Sequence, residues 1–235
     1  MDNLKITLHF LAPIIATEAI HFDAVLAYAM YKHTNDLDIA HDSLPLKKTN
    51  GVYHASAFRL QSPVRTIIAD FNGALRNSDM NTDLFAPNSV KSDKYLYIDT
   101  ARGAHKAELN SYMAYESLHS MGYFFAVGNK IEIEALLRTY VFGIGKKSQA
   151  GFGQIQSIEV EVIDEDKSLF DAEMGVMRNI PINIFESLGF EQRAEFDTEL
   201  VASYPPYYIT EPLECAVPSS MVYDKLLNVE VDDFF

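Results

Sequence analysis

The chain is short of cysteine, of cations and of long apolar runs, and each shortage excludes something. Cys215 is the single cysteine in 235 residues, so no internal disulfide can form, and no Cys/His set has zinc-site spacing. No run of eighteen or more apolar residues is present, which excludes a helical membrane span. The opening MDNLKITLHF has neither the basic start nor the apolar stretch of a secretory signal. The expectation is a cytoplasmic protein with no membrane partner, no metal and no cofactor. Hydrophobic residues make up 48% of the chain, enough to core one large domain or two small ones.

The shortage of cations is uneven. The net charge is −14, which at first argues against a nucleic-acid binder. Residues 1–160, however, hold 15 Lys/Arg against 16 Asp/Glu, a net of −1. Residues 161–235 hold 4 against 17, a net of −13. The first two-thirds can therefore present a local basic face while the last third repels phosphate, because backbone binding depends on where the cations sit. Simple solubilisation by the acidic third is the plainer alternative.

Apolar periodicity supplies the elements. LKITLHF (4–10) alternates as a half-buried strand, closed by Pro13. HFDAVLAYAMYK (21–32) repeats at helical spacing. Asn50–Gly51 marks a turn, and VYHASAFRL (52–60) reads as a strand. Residues 61–92 have little periodicity and read as an insertion. KYLYI (94–98) is a strand candidate, and 102–115 is ambiguous. GYFFAV (122–127) reads as a buried strand, IEIEALLRTYVF (131–142) as a helix, and QIQSIEVEVI (154–163) as a strand. The order predicts an α+β chain with a ferredoxin-like βαββαβ (RRM-like) core over 1–163, carrying an insertion at about 60–95. Residues 164–235 read as an irregular acidic C-terminal extension packed on that core.

Between the second predicted helix and the last strand lies GIGKKSQAGFG (143–153). Gly143, Gly145, Gly151 and Gly153 allow left-handed backbone and close approach to the main chain, so they shape the loop. Exposed N–H groups there can form an anion-binding nest. Lys146 and Lys147 add charge, Ser148 and Gln149 add hydrogen-bonding groups, and Phe152 can stack on a base or anchor the loop. A helix precedes the glycines and a strand follows, the reverse of a nucleotide-binding phosphate loop. A phosphate cradle and a plain turn with two solvated lysines both stay open at this point.

Helix, then GIGKKSQAGFGQI, then strand resembles the glycine-rich loop of the RAMP superfamily, the ferredoxin-like proteins that hold guide RNA in CRISPR–Cas systems. HFDAVLAYAM, RGAHKAELNSYMAYES, YFFAVGNKIEIEALL and MRNIPI are similar, in order, to the Cas-five-type subunit of type IV CRISPR effector complexes. The resemblance spans most of 4–182. It implies a subunit that grips the 5′ repeat-derived handle of a crRNA and caps a filament of backbone (Cas-seven-type) subunits. The large-type subunit, and target DNA near the PAM, are further partners it implies. RNA is recognised through backbone, 2′-OH and unstacked bases, and guide pairing supplies target specificity.

Lys146, Lys147, Ser148, Gln149, Gly151 and Phe152 are the expected RNA contacts. Arg102, His105 and Lys106 sit in the RGAHKAE block that the resemblance places near the RNA, and Arg59 and Arg65 flank the insertion as candidates for a phosphate track. His21 and Asp23 begin the first helix, where Asp23 suits the helix dipole. No spacing forces His21, His105, Lys106 and Lys146 together, so no catalytic residue is assigned. Two other readings remain: a metal-independent crRNA-processing endoribonuclease of the same superfamily, and a protein interaction module that does not touch RNA.

Overall fold

The computed structural model describes residues 1–73, 90–92, 95–96, 108–190, 192, 195–219 and 221–223. The fold is mixed α+β. In chain order it opens with β1 (Asp2–Phe10), β2 (Ile14–Ile15), α1 (Phe22–Thr34) and α2 (Leu37–Asp42). Asn35, in left-handed conformation, stops α1, and the Asp36 carboxylate caps α2 by accepting from the N–H groups of Asp38 and Ile39. The hairpin β3 (Lys48–Thr49) and β4 (Val52–Tyr53) turns at Asn50–Gly51, both at positive φ. Then come β5 (Arg59–Gln61), β6 (Val64–Gly73), β7 (Val90–Ser92), β8 (Tyr95–Leu96), β9 (Glu108–Ser117) and β10 (Met121–Gly128). α3 (Lys130–Tyr140) follows, capped by the side chain of Asn129, and β11 (Ile155–Val162) follows the glycine segment.

The principal sheet has the order β11-β1-β10-β5-β17, with β17 at Val222–Tyr223. β1 is antiparallel to both β10 and β11, and β5 is antiparallel to β10. Leu4, Ile6, Leu8 and Phe10 alternate onto one face, where they join Phe22, Leu26 and Ala29 of α1 and Ile133, Leu136 and Leu137 of α3 in one buried cluster. Both helices therefore cover that face. Each such fully buried side chain contributes roughly 1.5–3 kcal/mol. Tyr123 and Phe125 point to the opposite face, where Met177 packs on them.

The described part of the expected irregular extension contains regular elements. It holds β12 (Phe170–Asp171), β13 (Gly175–Val176), β14 (Ile180–Pro181), α4 (Ile182–Ser187), β15 (Asp197–Val201) and β16 (Leu213–Val217). Strands β14, β16 and β15 form a small sheet over a second cluster built on Ile180, Phe185 and Ala216. Most residues of β15 are exposed, so no alternating apolar pattern announced it.

Two compact units are present: residues 1–66 with 114–235, and residues 67–113. The second overlaps the expected insertion at about 60–95. Within it Ser111 donates to Asp70 at 2.6 Å, and the rings of Phe71 and Tyr112 meet edge-on. β6 is a ten-residue strand where no element was expected, because most of its side chains are exposed and carry no period. The strand predicted over 52–60 is broken into β4 and β5, and between them Ala55 bridges to Ala126 and Ala57 to His21. Of the predicted strand 94–98, β8 holds Tyr95–Leu96, and the rest lies outside the described residues. Among the described residues no helix is long and apolar enough to cross a membrane.

Candidate nucleic-acid interface

The glycine segment is a tightly closed lobe. At its neck the Ile144 N–H donates to the Gly153 carbonyl at 3.1 Å and the Ile155 N–H to Phe142 at 2.9 Å. The neck lies on the segment after β1: Lys146 N–H donates to Ile15 and Gly153 N–H to Pro13, both at 2.7 Å. This crossing leaves no room for a Cβ at two positions. A Cβ on Gly145 would lie 2.6 Å from the Ile15 carbonyl oxygen, and one on Gly153 would lie 2.0 Å from that of Ile144, both at positive φ. The tip is one 3₁₀ turn, Ser148–Ala150, entered through Lys147 in left-handed conformation. A lysine there is strained, and such strain concentrates at functional segments.

The N–H groups of Ile144, Lys146, Ala150, Gly151 and Gly153 all donate to protein carbonyls. An anion nest built from those five groups is thereby ruled out. What the lobe presents outward is side chains. Lys146, Lys147, Ser148 and Gln149 are exposed, while Gly151 and Phe152 are half-buried.

Beside the lobe runs a groove of about 680 Å³, bounded on one side by Ala24, Val25 and Tyr28 of α1 and on the other by Phe142, Ser148 and Gln149. Tyr28 is 52% exposed and Phe142 is 72% exposed. The Lys32 ammonium lies 5.6 Å from the centre of the Tyr28 ring. Among the described residues, none that lines the groove is acidic. In a chain with 33 Asp and Glu residues, this described lining is locally neutral.

The other expected contacts do not converge on this groove. Arg102, His105 and Lys106 lie outside the described residues. Arg65 is on the surface and paired with Glu116. Arg59 is a core residue, 2% exposed, and its guanidinium donates to the Val176 carbonyl at 3.0 Å. Burial lowers its pKa to about 10, against the raising effect of Asp171. It reads as a surface cation in sequence because β5 alternation does not reveal that the 176–177 segment covers it. Arg59 is therefore withdrawn from the phosphate track.

His21 and Asp23 are also buried, in a cluster that local sequence did not announce. Asp23 is fully buried and forms an ion pair with Arg178 at 3.1 Å. The Tyr207 hydroxyl donates to Asp23 at 2.9 Å and receives a hydrogen bond from Arg178 at 3.0 Å. Arg178 further donates to the carbonyls of Tyr53, Ala55 and Ser203. His21 stacks on Tyr207, ring centres 4.9 Å apart, and neither of its ring nitrogens has a partner. Burial, then the charges of Arg178 and Arg59, push its pKa well below 6.5, so it is neutral. The cluster ties the start of α1 to the 203–207 segment, while the next residues of α1 line the groove. Its one trace in the sequence is Arg178 itself, a charge interrupting the apolar run of 176–180.

A comparison with known families matches residues 2–211 to the family described as CRISPR type IV associated protein Csf3. No curated protein matches the chain.

Proposed function

The chain belongs to the Csf3 family of type IV CRISPR-associated proteins, and from that premise we propose that it is a crRNA-binding subunit of the type IV effector complex. It grips the 5′ repeat-derived handle and caps the filament of backbone subunits, with the large-type subunit as a further partner. The strand order β11-β1-β10-β5, with α1 between β1 and β5 and α3 between β10 and β11, supports a ferredoxin-like core. The observation that carries the reading is the exposed lobe with Lys146 and Lys147 beside a groove whose described lining holds no carboxylate.

Lys146 and Lys147 neutralise phosphates, and Ser148 and Gln149 hydrogen-bond to backbone oxygens or 2′-hydroxyls. Gly153 lets the neck close on Ile144, and Gly145 lets it lie against Ile15. The cationic grip releases counterions, so it has a salt signature. Lys146→Ala/Lys147→Ala lowers the slope of log K against log[salt] by about 1.4, near 0.7 for each single-strand phosphate no longer neutralised. A salt titration with handle RNA that gives the wild-type slope and affinity for this variant refutes the reading.

A further inference from the structure

The groove beside the glycine lobe holds more apolar and aromatic surface than a phosphate grip requires. Three rings line it, Tyr28, Tyr140 and Phe142, and two of them stay open to solvent: Tyr28 at 52% and Phe142 at 72% exposure. Large aromatic rings left in solvent forgo a favourable burial unless a ligand completes it. The backbone beneath each is held rigidly. Tyr28 lies inside α1, and the Phe142 carbonyl accepts the Ile155 N–H at the lobe's neck. The floor is apolar, from Ile20, Val25 and Ile144, and the far edge carries the amides of Gln149 and Gln154.

We infer that this groove is a nucleobase site in which an unstacked base lies against Tyr28 and Phe142 while its phosphates run along the Lys146–Lys147 edge. The inference rests on the RNA-binding reading above and adds to it where bases go. Charge selects this occupant. Among the described residues the lining has no carboxylate, and Lys32 adds a cation at the Tyr28 ring, so an anionic strand meets no repulsion from these residues on entering. Size agrees: about 680 Å³ falls within the roughly 300–1,000 Å³ range of pockets that enclose small organic ligands. Stacking on an aromatic face tolerates any base, so the site favours single-stranded over duplex RNA without selecting sequence, and the side-chain amides supply what base preference there is.

The test measures binding of the full chain to a labelled single-stranded oligoribonucleotide of mixed sequence and to the same ribose-phosphate chain without bases. Wild type prefers the oligomer with bases. Tyr28→Ala and Phe142→Ala each weaken it roughly fivefold to a hundredfold and leave the salt slope unchanged. Tyr28→Phe retains wild-type affinity. Both side chains are solvent-exposed, and an unshifted melting curve confirms that each variant is folded. Equal wild-type affinity for the two oligomers overturns the base site while leaving the phosphate grip standing. Alanine variants that bind RNA as wild type overturn it too, even if they fail to hold a partner protein. Displacement of the RNA by micromolar adenosine monophosphate assigns the groove to a free nucleotide and likewise overturns it. If wild type binds neither oligomer, the RNA-binding reading itself fails and takes the base site with it.

Discussion

Replacing Arg178 by methionine tests how the acidic C-terminal third is held to the rest of the chain. The guanidinium is fully buried and meets Asp23 at 3.1 Å, the Tyr207 hydroxyl and the backbone carbonyls of Tyr53, Ala55, Asn179 and Ser203. Methionine fills similar volume but leaves the Asp23 carboxylate buried with only Tyr207 as a side-chain donor. Removing one partner of a buried pair costs about 3–5 kcal/mol, most of it the uncompensated charge. A domain is stable by only about 5–15 kcal/mol, so roughly a fifth or more of the total is at stake. Equilibrium unfolding in urea should show the midpoint falling with little change in slope. The double-mutant cycle sharpens the test. Asp23→Asn strands the arginine instead, and the double variant should be less damaged than the two single losses added together, with a coupling of about 0.5–3 kcal/mol. Arg178→Lys should recover only part of the loss, because one ammonium cannot span Asp23, Tyr207 and the carbonyls as the planar fork does. An Arg178→Met loss under about 1 kcal/mol, or strictly additive single losses, refutes the reasoning.

Acid should destabilise the chain in two windows. The pKa of His21 is held below the 6.5 of an unfolded side chain by burial and by Arg178 and Arg59, so the unfolded state takes the proton first. Stability is full above pH 6.5 and falls as the pH drops below it, and His21→Phe, which keeps the stack on Tyr207, should flatten that part of the curve. For Asp166, burial raises the pKa, but hydrogen bonds from His54 and Ser168 outweigh it and bring it to about 2. That contribution is present above pH 3.8 and lost as the pH falls towards 2, so Asp166→Asn should lose the lower limb of a stability–pH profile. In the glycine lobe, Gly151→Ala faces open space and should cost about 1–2 kcal/mol for its positive φ alone. Gly153→Ala adds overlap with the Ile144 carbonyl and should cost about 1–3 kcal/mol more, so equal melting temperatures for the two variants would refute the crossing geometry.

The sequence by itself determined the elements whose signal is local. The alternation of Leu4 to Phe10, the helical spacing from Phe22 and the alternation before Ile163 each state which face is buried, because their period is that of one element, and the unbroken apolar run at 122–127 states that its strand is buried on both faces. The turn at Asn50–Gly51 and the glycine lobe were legible for the same reason: a required backbone angle selects its residue in place. Strands β6 and β15 were not legible, since an element with few buried side chains has no period. The pairings decided only by tertiary structure join residues far apart in sequence. Asp23 and Arg178 stand 155 positions apart, and Asp23 and Tyr207 stand 184 apart. Both Arg59 and Arg178 look like ordinary surface cations until packing shows which carbonyls and carboxylates compensate their burial. The groove, too, exists only once α1 lies beside the lobe and leaves Tyr28 and Phe142 uncovered. Local pattern says which side of an element avoids water. Which charge meets which, and which surface stays open, depends on how the elements pack.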